Sequence, residues 1–286
     1  MLDKLGLNGY SGAAVALKAN YNSADPFPAS THIDTLRAIV ESVKKAGAGS
    51  ITLAERSGMG YTDQVFDHMG VLELAKELGF DTVVLDDAAK EDWIKCERKD
   101  THWITGFYMA RLFHDADKII QTCCLKTHRF GGDFTMSLKN SVGLIAKKIP
   151  GSMFDYMWEL HSSPFQRKMI AEINLHYNLD FVLMDAIKAF VTGGPEKGTV
   201  VEPNLLLASR DRVAIDAVGV AILKMQGAKG KVGELGVFEQ DQLKRASELG
   251  FGVKSTGEIQ LVPLSNESQE DVERIEQVFC GQVATL

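Results

Sequence analysis

Short apolar runs rich in β-formers alternate along this chain with amphipathic segments of helical period, and that alternation restricts the fold to the α/β class. Ala14-Val15-Ala16-Leu17 reads as a first strand. His32 to Ala46 follows with Ile33, Leu36, Ile39, Val40 and Val43 on one helical stripe, Thr31 as candidate N-cap and Gly47 just past the end. Ser50 to Ala54 is the next strand, and helical sequence from Thr62 to Gly79 is divided at Gly70. Thr82 to Leu85, Lys118 to Leu125, Asp180 to Met184 and Leu205 to Ala208 complete the series of strands. Gly106 to His114 and Arg212 to Met225 read as helices. The tail reads as helix (Phe238 to Leu249), strand (Glu258 to Pro263) and helix (Ser268 to Phe279). Continuous apolar strands between helices imply a mainly parallel sheet with helices on both faces. Residues 1–286 suit a single α/β domain. Segment 127–178 breaks the rhythm with Gly131-Gly132, Ile149-Pro150-Gly151 and a polar helix, and reads as a large excursion or subdomain.

Charge and cysteine usage exclude several classes. A net charge of −7 with no basic block does not suit nucleic acid or an anionic membrane surface. No apolar run approaches the roughly 20 residues that span a bilayer. Residues Met1 to Tyr10 lack the apolar core of a secretory signal, so the expected location is cytoplasmic. Cys96, Cys123, Cys124 and Cys280 form no Cys-x-x-Cys pair, which leaves no local iron–sulfur motif. Cys123 and Cys124 read as buried reduced thiols in an apolar strand.

In open α/β sheets, ligands bind at the carboxyl ends of strands, near a switch in strand order. Polar residues collect after the expected strands here: Lys18 and Asn20, Glu55 with Arg56 and Ser57, Asp86 and Asp87, Lys126 with Thr127 and His128, Asp185, and Ser209 to Asp211. The turn from Glu55 to Thr62 could present backbone amides to an anion, or be a tight turn capped by Thr62. Lys126 to Asn140 is the densest polar stretch, including Ser137, Lys139 and the imidazole of His128. Lysine suits anionic oxygen, and histidine suits proton transfer near neutral pH. Gly193-Gly194-Pro195 is a second glycine-rich loop. No His-x-x-x-His or His-Glu-x-x-His spacing occurs, so a metal rests only on scattered carboxylates. Glu55 and Asp185 are the candidate ligands, for Mg²⁺ or another divalent ion. No Gly-x-Ser-x-Gly elbow supports a serine hydrolase.

Several of these elements together resemble a family of unknown function, DUF362. They are Lys18-Ala19-Asn20, Ala46-Gly47-Ala48, the Glu55 to Gly60 turn and Cys124-Leu125-Lys126-Thr127-His128. Ser137-Leu138-Lys139-Asn140-Ser141-Val142-Gly143, Asp185-Ala186-Ile187 with Gly193-Gly194-Pro195, and Ala208 to Asp216 complete the match. It runs in order over about residues 13–250, with Ala19 where the family carries proline and Ala186 where it carries glycine. Some members carry an appended ferredoxin-like segment, and this chain lacks its cysteine run. The resemblance implies a fold and a site, without a reaction or a cofactor.

Three functions follow as expectations. The first is an enzyme acting on a small anionic substrate at the carboxyl edge of the sheet. Lys126, His128 and Asp185 would be its catalytic groups, and Lys18, Asn20, Thr127, Ser137, Lys139, Asn140, Gly193 and Gly194 would bind substrate. The second is a non-catalytic module for a small ligand or metal, associated with redox partners. The third is a structural or interaction protein. A homo-oligomer is compatible with all three.

Overall fold

The computed structural model describes residues 9–130 and 133–281, so the Gly131-Gly132 step and the first eight residues lie outside the described residues. Its centre is an eight-stranded sheet. The strands on its main path are β1 (Ala14–Lys18), β2 (Ser50–Glu55), β3 (Asp81–Val84), β6 (Lys118–Thr127), β8 (Phe181–Gly193) and β10 (Leu205–Ser209). They lie in the order β10-β8-β6-β1-β2-β3. Pairs β1/β2, β2/β3, β1/β6 and β6/β8 are parallel, as continuous apolar strands between helices require.

The last strand departs from that rule. β8 turns back through β9 (Gly198–Val201) into β10, and both pair antiparallel with it. The connections are too short for the crossover that a parallel neighbour needs. β8 is also longer than its first apolar run, because β9 ladders onto its second half, with Ala189 opposite Val201. Asp185 therefore stands inside β8, opposite Cys124, and does not follow a strand end. Lys126 and Thr127 likewise belong to β6, where Lys126 pairs with Thr135 of β7 (Phe134–Thr135).

Two further expectations are corrected. Gly106 to His114 is not one helix: β5 (Phe107–Ala110) pairs antiparallel with β4 (Trp93–Cys96), and only α4 (Arg111–Asp115) is helical. A four-residue apolar run satisfies either period, and β4 supplies the ladder that decides. Glu258 to Pro263 is not a strand among the described residues: Glu258 ends a 3₁₀ turn (Thr256–Glu258), and Ile259 and Leu261 pack against the core from outside the sheet.

Helices cover both faces. On one side α1 (Ile33–Lys45), α2 (Thr62–His68) and α3 (Val71–Leu78) bury Leu36, Ile39, Phe66 and Leu74 against Val15, Leu17, Leu53 and Ile120. Gly47 holds φ +87° just past α1, and Gly70 divides α2 from α3. The cap of α1 is His32, whose Nδ1 accepts from the Asp34 amide, while the Thr31 hydroxyl accepts from the Asn20 amide. On the other side α8 (Arg212–Met225) buries Val213, Val218 and Ile222 against Cys123, Leu125, Val182 and Met184.

Segment 127–178 shares these cores. Leu138 joins the core under α8, and Ile145, Leu160 and Met169 join Trp103, Phe107 and Ile119. Its helices are α5 (Ser137–Asn140), α6 (Tyr156–Ser162) and α7 (Gln166–Ile173). α7 packs on α9 (Asp241–Leu249). Successive strand residues face opposite ways. Cys123 thus joins the core under α8, while Cys124 lies 3.9 Å from the Asn20 amide nitrogen, and both thiols are free. Among the described residues, no helix is long and apolar enough to cross a membrane.

Candidate functional site: a cationic cleft over the first strand

The chain runs from β1 outward through β2 and β3, then returns to place β6 on the other flank of β1. The end of β1 is thus a switch point in strand order, where neighbouring loops diverge and leave a hollow. A cleft of about 50 Å³ opens there, lined by Lys18, Asn20, Glu55, Arg56, Lys139, Asn140 and Gly143 among others.

Lys18 and Glu55 are the last residues of β1 and β2. The Lys18 ammonium donates to Glu55 Oε2 at 2.7 Å, to Asn140 Oδ1 at 2.9 Å and to the Ala19 carbonyl. Glu55 also accepts from the Tyr21 amide at 3.1 Å and the Arg56 amide at 2.9 Å. Burial pushes the Lys18 amine down, and Glu55 opposes it. Arg56 donates from Nε to the Ile145 carbonyl and from Nη2 to the Val142 carbonyl, at 2.8 and 2.6 Å. Its Nη1 is buried with no hydrogen-bond partner. A buried charged donor without an acceptor is costly unless something supplies one.

α5 brings in Lys139 and Asn140. Its first amides, on Ser137 and Leu138, donate to the two carboxylate oxygens of Asp216 on α8 at 2.8 and 2.9 Å. Asn140 then bridges Lys18 to the Thr122 carbonyl of β6. Lys139 is different from Lys18. Among the described residues it makes no hydrogen bond or ion pair, although it is half-buried. Burial, and then the charges of Arg167, Lys126 and Arg56, push its amine down to about 7. An amine so placed is a mixture of ammonium and free base at neutral pH.

The remaining expected residues fall beside the cleft. Lys126 is buried, and its ammonium donates to the Ala29 carbonyl and, at 3.3 Å, to that of Pro195, itself a lining residue. Thr127 Oγ1 donates to the Phe190 and Gly193 carbonyls at 3.1 and 3.4 Å. Gly194 holds φ +72° so close to Thr127 that a Cβ would meet the Thr127 carbonyl oxygen at 2.0 Å. Those contacts fold the Gly193-Gly194 loop against β6. Ser137 uses its carbonyl for Gln121, and its hydroxyl is buried without a partner. The amides of the Glu55 to Thr62 turn are taken within the chain. Ser57 N donates to Thr62 Oγ1, Gly58 N to Asn22 Oδ1 and Met59 N to the Asn22 carbonyl.

His128 and Asp185 stand apart from each other. His128 Nδ1 lies 3.3 Å from Arg167 Nη2 and 3.2 Å from the Phe130 amide. The Phe130 carbonyl, which only accepts, lies 3.0 Å from the same nitrogen, so Nδ1 stands among two donors and one acceptor. Burial, Lys139 and Arg167 all hold it far below the usual imidazole range. Asp185 accepts from the Thr35 hydroxyl of α1 at 2.6 Å. It borders a separate groove of about 700 Å³ between α1 and the β8–β10 edge. Neither residue lines the cleft over β1. Among the described residues, no group of three or more His, Cys, Asp or Glu could hold a metal ion.

Sequence reasoning gave no site role to two residues. Arg56 sits beside a motif carboxylate, and only its orphaned Nη1 marks it. His161 of α6 donates from Nδ1 to the Met157 carbonyl, 2.6 Å away. A carbonyl only accepts, so Nδ1 carries the proton and Nε2 is the basic nitrogen. Lys139, Arg56 and Arg167 all lie near enough to depress it, after burial. No sequence spacing links position 161 to the others.

A doubly covered, mainly parallel α/β sheet with a polar cleft at its switch point is the class that the fold and site define. Within it, the sequence model of the domain of unknown function DUF362 matches residues 15–221, and the chain belongs to that family. No curated protein matches the sequence. Among solved structures, the chain is similar to the lactate racemase apoprotein from Thermoanaerobacterium thermosaccharolyticum, at 16% identity and a TM-score of 0.47. The match covers 73% of this chain and 48% of that one, so the chain spans about half the length of that protein.

Proposed function

We propose that the protein is an enzyme that binds a small anionic substrate in the cleft over β1, with the Lys139 amine as its proton-transfer group. The observation that carries this reading is the contrast between two lysines lining one hollow. Lys18 is neutralised by Glu55, whereas among the described residues Lys139 has no partner and has cationic neighbours. The surplus positive charge favours an anion, and the orphaned Arg56 Nη1 offers a donor to it. An amine near pH 7 suits both directions of proton transfer. The small volume favours a substrate of a few heavy atoms.

Lys126, Thr127, Gly193 and Gly194 support the cleft from behind in this reading. Preorganised cations of this kind stabilise negative charge that develops during reaction. The test is a melting-temperature screen with acetate, oxalate, phosphate and sulfate, run on the native chain and on Lys139→Met. A rise with at least one anion, reduced in the variant, supports the site. Equal response of both proteins removes Lys139 from it. Turnover of a metabolite mixture, followed by proton NMR, separates the enzyme from a module that only binds.

A further inference from the structure

We infer that Lys139 captures the carbonyl carbon of a short oxo acid as an imine, with the substrate carboxylate held by Arg56. This deepens the reading above and rests on it. A lysine kept as a structural cation is paired, as Lys18 is with Glu55 and Asn140. Among the described residues Lys139 has no acceptor, and Arg167, Lys126 and Arg56 are its charged neighbours. That environment favours the neutral amine, the only form with a lone pair for addition to carbon.

The second, independent observation is on the opposite partner. Arg56 is 4% exposed, lines the same cleft, and spends Nε and Nη2 on backbone carbonyls while Nη1 has no partner. A carboxylate is the acceptor that such a donor lacks. A carboxylate on one side and an electrophilic carbon on the other, within a cleft of about 50 Å³, describe a two- or three-carbon oxo acid such as glyoxylate or pyruvate.

The step balances without a co-reactant. The Lys139 Nζ lone pair forms the N–C bond as the carbonyl π pair moves to oxygen. The two hydrogens of the amine leave with that oxygen as water, and the C=N bond closes.

The test is reductive trapping of the whole chain with glyoxylate or pyruvate and sodium cyanoborohydride at neutral pH, read by intact mass and peptide mapping. One adduct per chain at Lys139, formed at least about tenfold faster than at exposed lysines, is expected from the larger neutral fraction of that amine. It should vanish in Lys139→Arg and persist in Lys90→Arg. Acetaldehyde, which has no carboxylate, should trap more slowly. Adducts spread evenly over exposed lysines, or trapping unchanged in Lys139→Arg, overturn the imine. Oxalate, which offers carboxylates and no ketone, separates the two readings. If oxalate raises the melting temperature while no oxo acid is trapped, the imine fails and the anion site stands. If oxalate does nothing and trapping fails, both fall.

Discussion

The Lys18 ammonium and the Glu55 carboxylate meet at 2.7 Å with their side chains 3% and 2% exposed, joining the ends of two adjacent parallel strands. Removing one member of a buried pair strands the other charge. Glu55→Ala should therefore destabilise the protein by about 3–5 kcal/mol in urea titrations. It also frees two backbone amides, on Tyr21 and Arg56. The double variant Lys18→Met/Glu55→Gln should lose less than the sum of its single changes, because it leaves no stranded charge. Strict additivity would show that the pair is not coupled.

Gly143 lies against that pair. A Cβ there would stand 2.6 Å from Glu55 Oε1, 2.6 Å from Lys18 Cε and 2.9 Å from Lys18 Nζ. Gly143→Ala should cost about 1–3 kcal/mol by overpacking, and it should weaken anion binding by displacing Lys18. Thermal unfolding and the oxalate response together check both effects. A variant with unchanged melting and unchanged binding would mean that the turn after α5 gives way freely.

Lys139 makes stability depend on pH in a defined direction. Its folded value, about 7, lies below the ordinary 10.5, so between those limits the unfolded chain holds a proton that the folded chain does not. Stability from this site therefore rises with pH across that window, and the penalty for the buried ammonium is complete below about pH 7. Lys139→Met should stabilise the protein at pH 6, and the gain should shrink as pH approaches 10. Anion affinity of the native chain should fall over the same rise through about pH 7, as the ammonium is lost. A gain from Lys139→Met that is equal at both pH values would contradict the depressed amine.

His128 should remain neutral throughout the physiological range, since burial and the cations Lys139 and Arg167 all lower it. Its ring protons should show no inflection in NMR titration between about pH 5 and 8. Arg167 is buried and donates to the Phe134 carbonyl at 2.9 Å and to Gln242 at 2.8 Å, with Asp133 beside its Nε at 3.2 Å. Arg167→Ala should cost about 3–5 kcal/mol, because among the described residues it leaves buried Asp133 with Lys231 as its one cationic partner. The inflection of His128 should move upward in any Arg167 variant that folds.

The strands that build the cleft were legible because their apolar runs are continuous and their ends are marked by Lys18, Glu55 and Lys126. Lys18 and Asn20 were singled out by the end of the first strand, and Lys139 and Asn140 by the dense polar stretch from Lys126 to Asn140. What stayed hidden depended on partners remote in sequence. Phe107 to Ala110 needed β4 to declare itself a strand, and Asp185 needed β9 and β10 to lie within one. The neutrality of His128 depends on burial and on the cations Lys139 and Arg167, both in a segment without a clear periodic signal. An orphaned donor such as Arg56 Nη1 is a property of packing, and no residue type announces it.

Asp216 is buried in a helix that does not line the cleft, yet it grips the amides at the start of the short helix carrying Lys139 and Asn140. Gly219, one turn further along, lets that helix press so near Met136 that a Cβ would meet its sulfur at 2.3 Å. The position of the reactive amine is thus dictated from the rear of the molecule, so that a shift of α8 within the core would be felt as a displacement of charge at the opposite end of α5.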